Sequence, residues 1–244
     1  TSAVLVLRVL LRTQEDYQLE LKNFVFSWEK AQRILALGIT SGLQHAIFAM
    51  ANLFIQSAVN TFSAAVVEGN SAAANADSLV YEVMAAPYTA CSTFISQNYG
   101  AHNKERIQKA YRVSLVYSFG VGAVLGLALM FFGGGFLRIF TPDPEVIAAG
   151  MEKLHIMGWS YAFSAFMDNS LAASRGLGKS AVPVAIVILG SCVFRVIWVY
   201  TIFAHFHTIP SLYLLYIFSW TITAAAEILY FIRCCRRLRT AQTA

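Results

Sequence analysis

Where the positive charges fall constrains this chain more than any other feature. Fifteen of its 18 Lys and Arg lie in four clusters. The first is Arg8, Arg12, Lys22, Lys30 and Arg33; the second is Lys104, Arg106, Lys109 and Arg112. The third is Arg175 and Lys179, and the last is Arg233, Arg236, Arg237 and Arg239. Between them run the apolar stretches 34–103, 113–174 and 180–232. Each can cross a bilayer and return, because a spanning helix needs about 20 apolar residues. Cytoplasmic loops collect Lys and Arg, so all four clusters read as one side of a membrane. The pattern predicts six crossings with both ends inside.

The expected fold class is therefore all-α and polytopic. Inside lipid, only helices and closed barrels satisfy every backbone group, and alternating ten-residue strands are absent. Composition agrees: hydrophobic residues make up 57% and charged residues 13% of the chain, against about a quarter charged in soluble domains. The net charge of +5 is no nucleic-acid signature, because the cations anchor loops and form no basic face with interleaved aromatics. The lipid bilayer is the first expected partner, and Arg233–Arg239 would meet anionic lipid. Cys91, Cys192, Cys234 and Cys235 show no metal spacing. They read as small apolar side chains, the last two at the reduced cytoplasmic boundary.

The chain reads in three parts. Residues 1–30 hold an apolar stretch, Thr1–Leu11, too short to span, followed by a mixed-charge cytoplasmic linker. Residues 31–235 form the membrane lobe, and 236–244 a basic cytoplasmic tail. The spans run at roughly 31–60, 70–98, 111–133, 145–174, 181–204 and 211–232. In the third, Gly120, Gly122 and Gly126 permit close helix approach, and Gly133-Gly134-Gly135 is expected to end it. Asp143 and Pro144 predict a capped start to the fourth. The segment 175–179 predicts a tight inner turn.

Polar residues recur on helical faces inside these spans. In the first, Ser41, His45, Asn52 and Gln56 share a face, with Asn60 one step further. Such amides can line a cavity or bond neighbouring helices. In the second, Ser71, Asn75, Ser78, Glu82 and Thr89 form a stripe, with Glu82 about 16 Å from the outer end by helix rise. Asp77 lies on a different face. A mid-membrane carboxyl can exchange a proton or hold Na⁺, or be a buried carboxyl paired structurally. In the fourth, Ser160, Ser164 and Asp168 repeat at four, with Asp168 about 9 Å from the inner end. Arg195 is the one cation expected deep in a span; its candidate partners by depth are Asp77 and Glu82. Arg138 and Lys153 are read as flanking an outer loop. Glu227 is read as a solvated carboxyl near the inner interface. No hydrolytic or phosphate-loop constellation emerges, so the chain does not read as an enzyme, and no cofactor or structural metal is expected.

Several segments resemble the carboxyl-terminal half of the multidrug and toxic compound extrusion (MATE) antiporters. The likeness is carried by Gln97-Asn98-Tyr99-Gly100-Ala101 with Arg106, and by Phe140-Thr141-Pro142-Asp143-Pro144-Glu145-Val146-Ile147. It extends to Arg175-Gly176 with Gly178 and Pro183, and to Arg195 with Trp198. His102 stands where a Gly is common. The resemblance implies one six-helix lobe of a twelve-helix transporter, helices seven to twelve, with the amino-terminal lobe as its missing partner. It implies export of cationic or amphipathic drugs from the cell across the plasma or inner membrane, in exchange for H⁺ or Na⁺. By position it makes Asp168 (helix ten), Glu82 and Asp77 (helix eight) candidates for ion coupling. In some subfamilies the helix-ten acid lies a turn further out, near Ser164. Ser41, His45, Asn52, Gln56, Asn75, Ser78, Ser160 and Ser164 would line the substrate cavity, and Arg195 would be a structural charge. Two rivals stand beside this reading: a lipid-linked precursor flippase, which calls for a more basic cavity, and a non-transporting membrane subunit, which calls for dry, fully paired stripes.

Overall fold

In the computed structural model, residues 2–13, 18, 19 and 25–240 are described. Most of the expected linker, the side chains of Ser41 and Arg33, and the end of the tail lie outside the described residues. The chain divides into two compact units, Thr1–Ile39 and Thr40–Ala244. The first contains α1 (Ser2–Arg12). The second carries most of α2 (Trp28–Val59), then α3 (Ala64–Gly100), α4 (Lys104–Leu137) and α5 (Pro144–Gly176). It closes with α6 (Ala181–Phe206) and α7 (Ile209–Thr240).

The boundaries follow local chemistry. Asp143 accepts from the Glu145 backbone N–H at 2.8 Å while Pro144 takes the first helical position, so α5 starts as the sequence predicts. The other expectation at a helix end fails. The glycines 133–135 do not stop α4, which runs on to Leu137, because Gly133 is buried against Met151 and Leu154 of α5. Packing there outweighs the weak helix propensity of glycine.

Helix α5 is the centre of the lobe and packs against α3, α4 and α7. Small residues let it come close: a Cβ on Gly69 of α3 would stand 2.7 Å from the backbone N of Gly150. Gly126 of α4 meets Gly158 in the same way. Gly122 also touches its neighbours, whereas Gly120 faces nothing within 4 Å, so only two of the three expected glycines serve α4 packing. Ile55, Ala58 and Val59 of α2 pack with Trp198, Val199 and Phe203 of α6 and with Leu212 and Leu215 of α7.

Among the described residues, three helices are long and apolar enough to cross a membrane: Lys104–Leu137, Ala181–Phe206 and Ile209–Arg237. Helices α2, α3 and α5 are as long but carry the polar rows described next. Helix α6 is interrupted by π-turns at Ile188–Val193 and Val199–Phe203. Such turns re-aim side chains within a helix, and Arg195 sits between them.

Candidate functional site

A cavity of about 530 Å³ opens among α2, α3, α5, α6 and α7. Helix α2 contributes Gln44, His45, Phe48, Asn52 and Gln56. These positions hold one face because a seven-residue step turns an α-helix by only about 20° from a whole number of turns. Three of the four expected α2 residues thus line the space; the fourth, Ser41, has a side chain outside those described.

On α3 the cavity row is Asn70, Ala74, Asp77, Tyr81 and Tyr88. This is one residue out of step with the expected stripe. Ser78 still reaches the edge of the cavity, but Glu82 and Asn75 are exposed and are not among its lining residues. One residue is about 100° of helix rotation, enough to carry them onto another face. Asn75 and Ser78 bond their own helix, at Ser71 O (3.2 Å) and Ala74 O (3.0 Å). Helix α5 shows a related drift. Only Asp168 of its expected trio lines the cavity. Ser160 and Ser164 are buried and donate back to Ile156 O (3.1 Å) and Tyr161 O (2.9 Å). A four-residue repeat precesses by about 40° a step, so Ser160 and Asp168 stand some 80° apart.

The charges form three groups. Asp77 is paired with Lys153, Nζ to Oδ2 at 2.8 Å, and also accepts from the Tyr161 hydroxyl. Lys153 donates to Asn70 O at 3.4 Å, and Asn70 Oδ1 accepts from the Tyr213 hydroxyl at 2.8 Å. This corrects two expectations. Lys153 is buried in α5 rather than flanking an outer loop, and it, not Arg195, is the partner of Asp77. The signal was present: Pro144 starts the helix, so Lys153 lies about 14 Å inside it.

Arg195 is buried and makes no bond to a carboxylate among the described residues. Its guanidinium lies 4.5 Å from the ring centre of Tyr216 and 5.7 Å from those of Phe48 and Trp220, and its Nε donates to Ser219 Oγ at 3.3 Å. Aromatic faces stabilise a desolvated cation through their quadrupoles, which is how an Arg is held here without an acid.

The third group lies at the carboxyl-terminal end of α5. Arg175 donates to Gln44 Oε1, joining α5 to α2, while its Nε has no partner among the described residues. Glu227 of α7 is fully buried, with neither carboxyl oxygen hydrogen-bonded among the described residues. Arg175 is its charged neighbour. The expected solvated carboxyl is thus a buried one. Asp168 differs from Asp77: it is half-buried at the cavity wall and makes no hydrogen bond or ion pair among the described residues. Its charged neighbours are Arg195 and Arg175. No group of three or more His, Cys, Asp or Glu forms a metal site among the described residues.

The MatE family profile matches residues 41–201, which include the α2, α3, α5 and α6 walls of this cavity. The chain belongs to the MatE family. It is similar to the probable multidrug resistance protein YpnP of Bacillus subtilis, 28% identical over 61% of this chain and 34% of that protein. It is also similar to the probable multidrug resistance protein NorM of Thermotoga maritima, 23% identical over 75% of this chain and 40% of that protein. Among solved structures, a MATE protein in the bent conformation superposes with TM-score 0.86 at 19% identity, over 100% of this chain and 54% of that one. A MOP superfamily transporter from Pyrococcus furiosus, described as having a binding pocket of reverse polarity, superposes with TM-score 0.87 at 19% identity, over 98% of this chain and 54% of that one. The chain therefore spans about a third to two fifths of these curated relatives and about half of these structures. It has the fold of a helical membrane transporter lobe of the MatE family.

Proposed function

We propose that this lobe is half of a secondary antiporter that exports cationic or amphipathic xenobiotics in exchange for H⁺ or Na⁺. In this reading α2–α7 cross the membrane six times with the basic clusters on the cytoplasmic side, and a second lobe supplies the facing wall. The observation that carries it is Asp168: an unpaired carboxyl among the described residues, on a cavity whose other charges are the paired Asp77 and Lys153 and the ring-enclosed Arg195. A carboxylate beside Tyr81 and Tyr88 suits an organic cation through charge and ring quadrupole together. The same carboxyl can hold a proton or Na⁺ instead, so that substrate and coupling ion compete for one group. Alternating access then follows from rocking one lobe against the other around a fixed site.

The flippase reading calls for cations free to hold a pyrophosphate. Lys153 is taken by Asp77 and Arg195 is enclosed by rings, which favours the exporter. The structural-subunit reading calls for paired stripes, and the unpaired Asp168 beside an open cavity speaks against it.

The test is efflux of ethidium from cells expressing the protein. Asp168→Asn is expected to reduce efflux to background, whereas Glu82→Gln leaves most of it. Undiminished efflux by Asp168→Asn overturns the assignment.

A further inference from the structure

Another face of α3 and α4 carries a feature outside the cavity described above. Ala86, Ala90 and Ala110 are too short to fill the space between the two helices, and a cavity of about 690 Å³ opens there. One turn further along both helices, at Val83 and Gly120, a second cavity of about 420 Å³ continues it as far as Leu125, and Tyr117 borders both. A Cβ on Gly120 would meet nothing within 4 Å, and the missing side chain keeps this groove open. The walls are apolar, and the flanking Phe94, Tyr117 and Val124 are 58–66% exposed, as on a surface that meets hydrocarbon. At the inner end the lining changes to Asn98, Arg106 and Lys109. Both cations are exposed and make no ion pair among the described residues, and no carboxylate lines the groove there. From Lys109 to Leu125 the helix rises about 24 Å, more than the roughly 15 Å of hydrocarbon in one leaflet.

We propose that this α3/α4 groove binds one anionic phospholipid, its phosphate held by Arg106 and Lys109 and an acyl chain laid along Ala90, Val113 and Gly120. Charge complementarity selects the headgroup. Two cations that make no ion pair among the described residues, in a groove lined by no carboxylate, suit a net-negative lipid and offer nothing to a choline.

Native mass spectrometry of the full chain in mild detergent, with dioleoyl phosphatidylglycerol and dioleoyl phosphatidylcholine at equal concentration, tests this. Wild type is expected to retain chiefly phosphatidylglycerol. Arg106→Gln with Lys109→Gln lowers that retention roughly tenfold, to the phosphatidylcholine level. Ala90→Trp, which fills the groove, lowers both lipids. Equal retention of the two lipids by wild type overturns the proposal. So does a preference that survives the double substitution at Arg106 and Lys109 but is lost with Arg233→Gln and Arg236→Gln, which would place the lipid on the terminal helix.

Discussion

At the residue scale, the lobe treats its intramembrane charges in three ways, and each has a different expected response to mutation. Asp77 and Lys153 neutralise each other, with side chains 18% and 6% exposed. Removing one partner of a buried pair costs about 3–5 kcal/mol, because the other charge is stranded. Lys153→Met is therefore expected to lower the thermal unfolding midpoint sharply. Adding Asp77→Asn should restore much of it, by more than the two single effects would allow if they added. Equal losses that simply sum would show that the pair does not hold α3 to α5. Arg195 is held by ring faces and Ser219, so Asp77 is not needed for its retention. Asp168 is held by nothing comparable, and that freedom suits a group that binds and releases. Part of this was legible in the sequence. Asp168, His45, Asn52, Gln56, Asp77, Ser78 and Arg195 are singled out there, and all line one cavity. The pairing was not legible, because depth along a helix does not say which neighbour a side chain faces. Lys153 is not singled out as a buried charge in the sequence because it is read as flanking an outer loop.

At the element scale, the polar rows show how far periodicity can be pushed. On α2 a seven-residue spacing keeps one face and is read correctly. On α3 two adjacent rows are both polar, and only packing decides which one faces inward. Asn70, Asp77 and Tyr81 do; Glu82 does not. The turns that end α5 and α3 are more telling. After α5, Gly178 adopts φ +72° while the N–H groups of Gly178 and Lys179 bond Arg175 O (2.8 Å) and Ser174 O (3.0 Å). After α3 the same arrangement recurs with His102 at φ +55°, and the N–H groups of His102 and Asn103 bond Tyr99 O (3.1 Å) and Asn98 O (2.9 Å). Both are Schellman endings. Asn103 then caps α4 by accepting from the Arg106 N–H at 3.1 Å. A left-handed conformation costs a non-glycine residue about 1–2 kcal/mol. Part of that is offset in a His102→Gly variant by the greater freedom of glycine in the unfolded chain. The substitution is expected to raise the unfolding midpoint by a few degrees in detergent, with helicity unchanged. A lowered midpoint would mean that the imidazole makes contacts worth more than the strain.

At the scale of the whole molecule, the basic clusters and apolar stretches anticipate the order and approximate limits of the long helices. Among the described residues, length and composition mark α4, α6 and α7 as spanning candidates. Helices α3 and α5 dilute their apolar character with polar and charged residues, several of which line the cavity. Helix α5 holds this together, carrying both Lys153 and Asp168 on the wall while its glycines meet α3 and α4. A cavity wall with one unpaired carboxyl, set in a MatE lobe, leads to a single expectation about coupling. The direct measurement is ion movement in proteoliposomes containing the protein, followed with H⁺- and Na⁺-sensitive dyes as ethidium is added. The account predicts that ethidium drives one of these ions in the opposite direction and that Asp168→Asn abolishes the exchange. Ethidium movement with no ion in return, or undiminished exchange in Asp168→Asn, would contradict it.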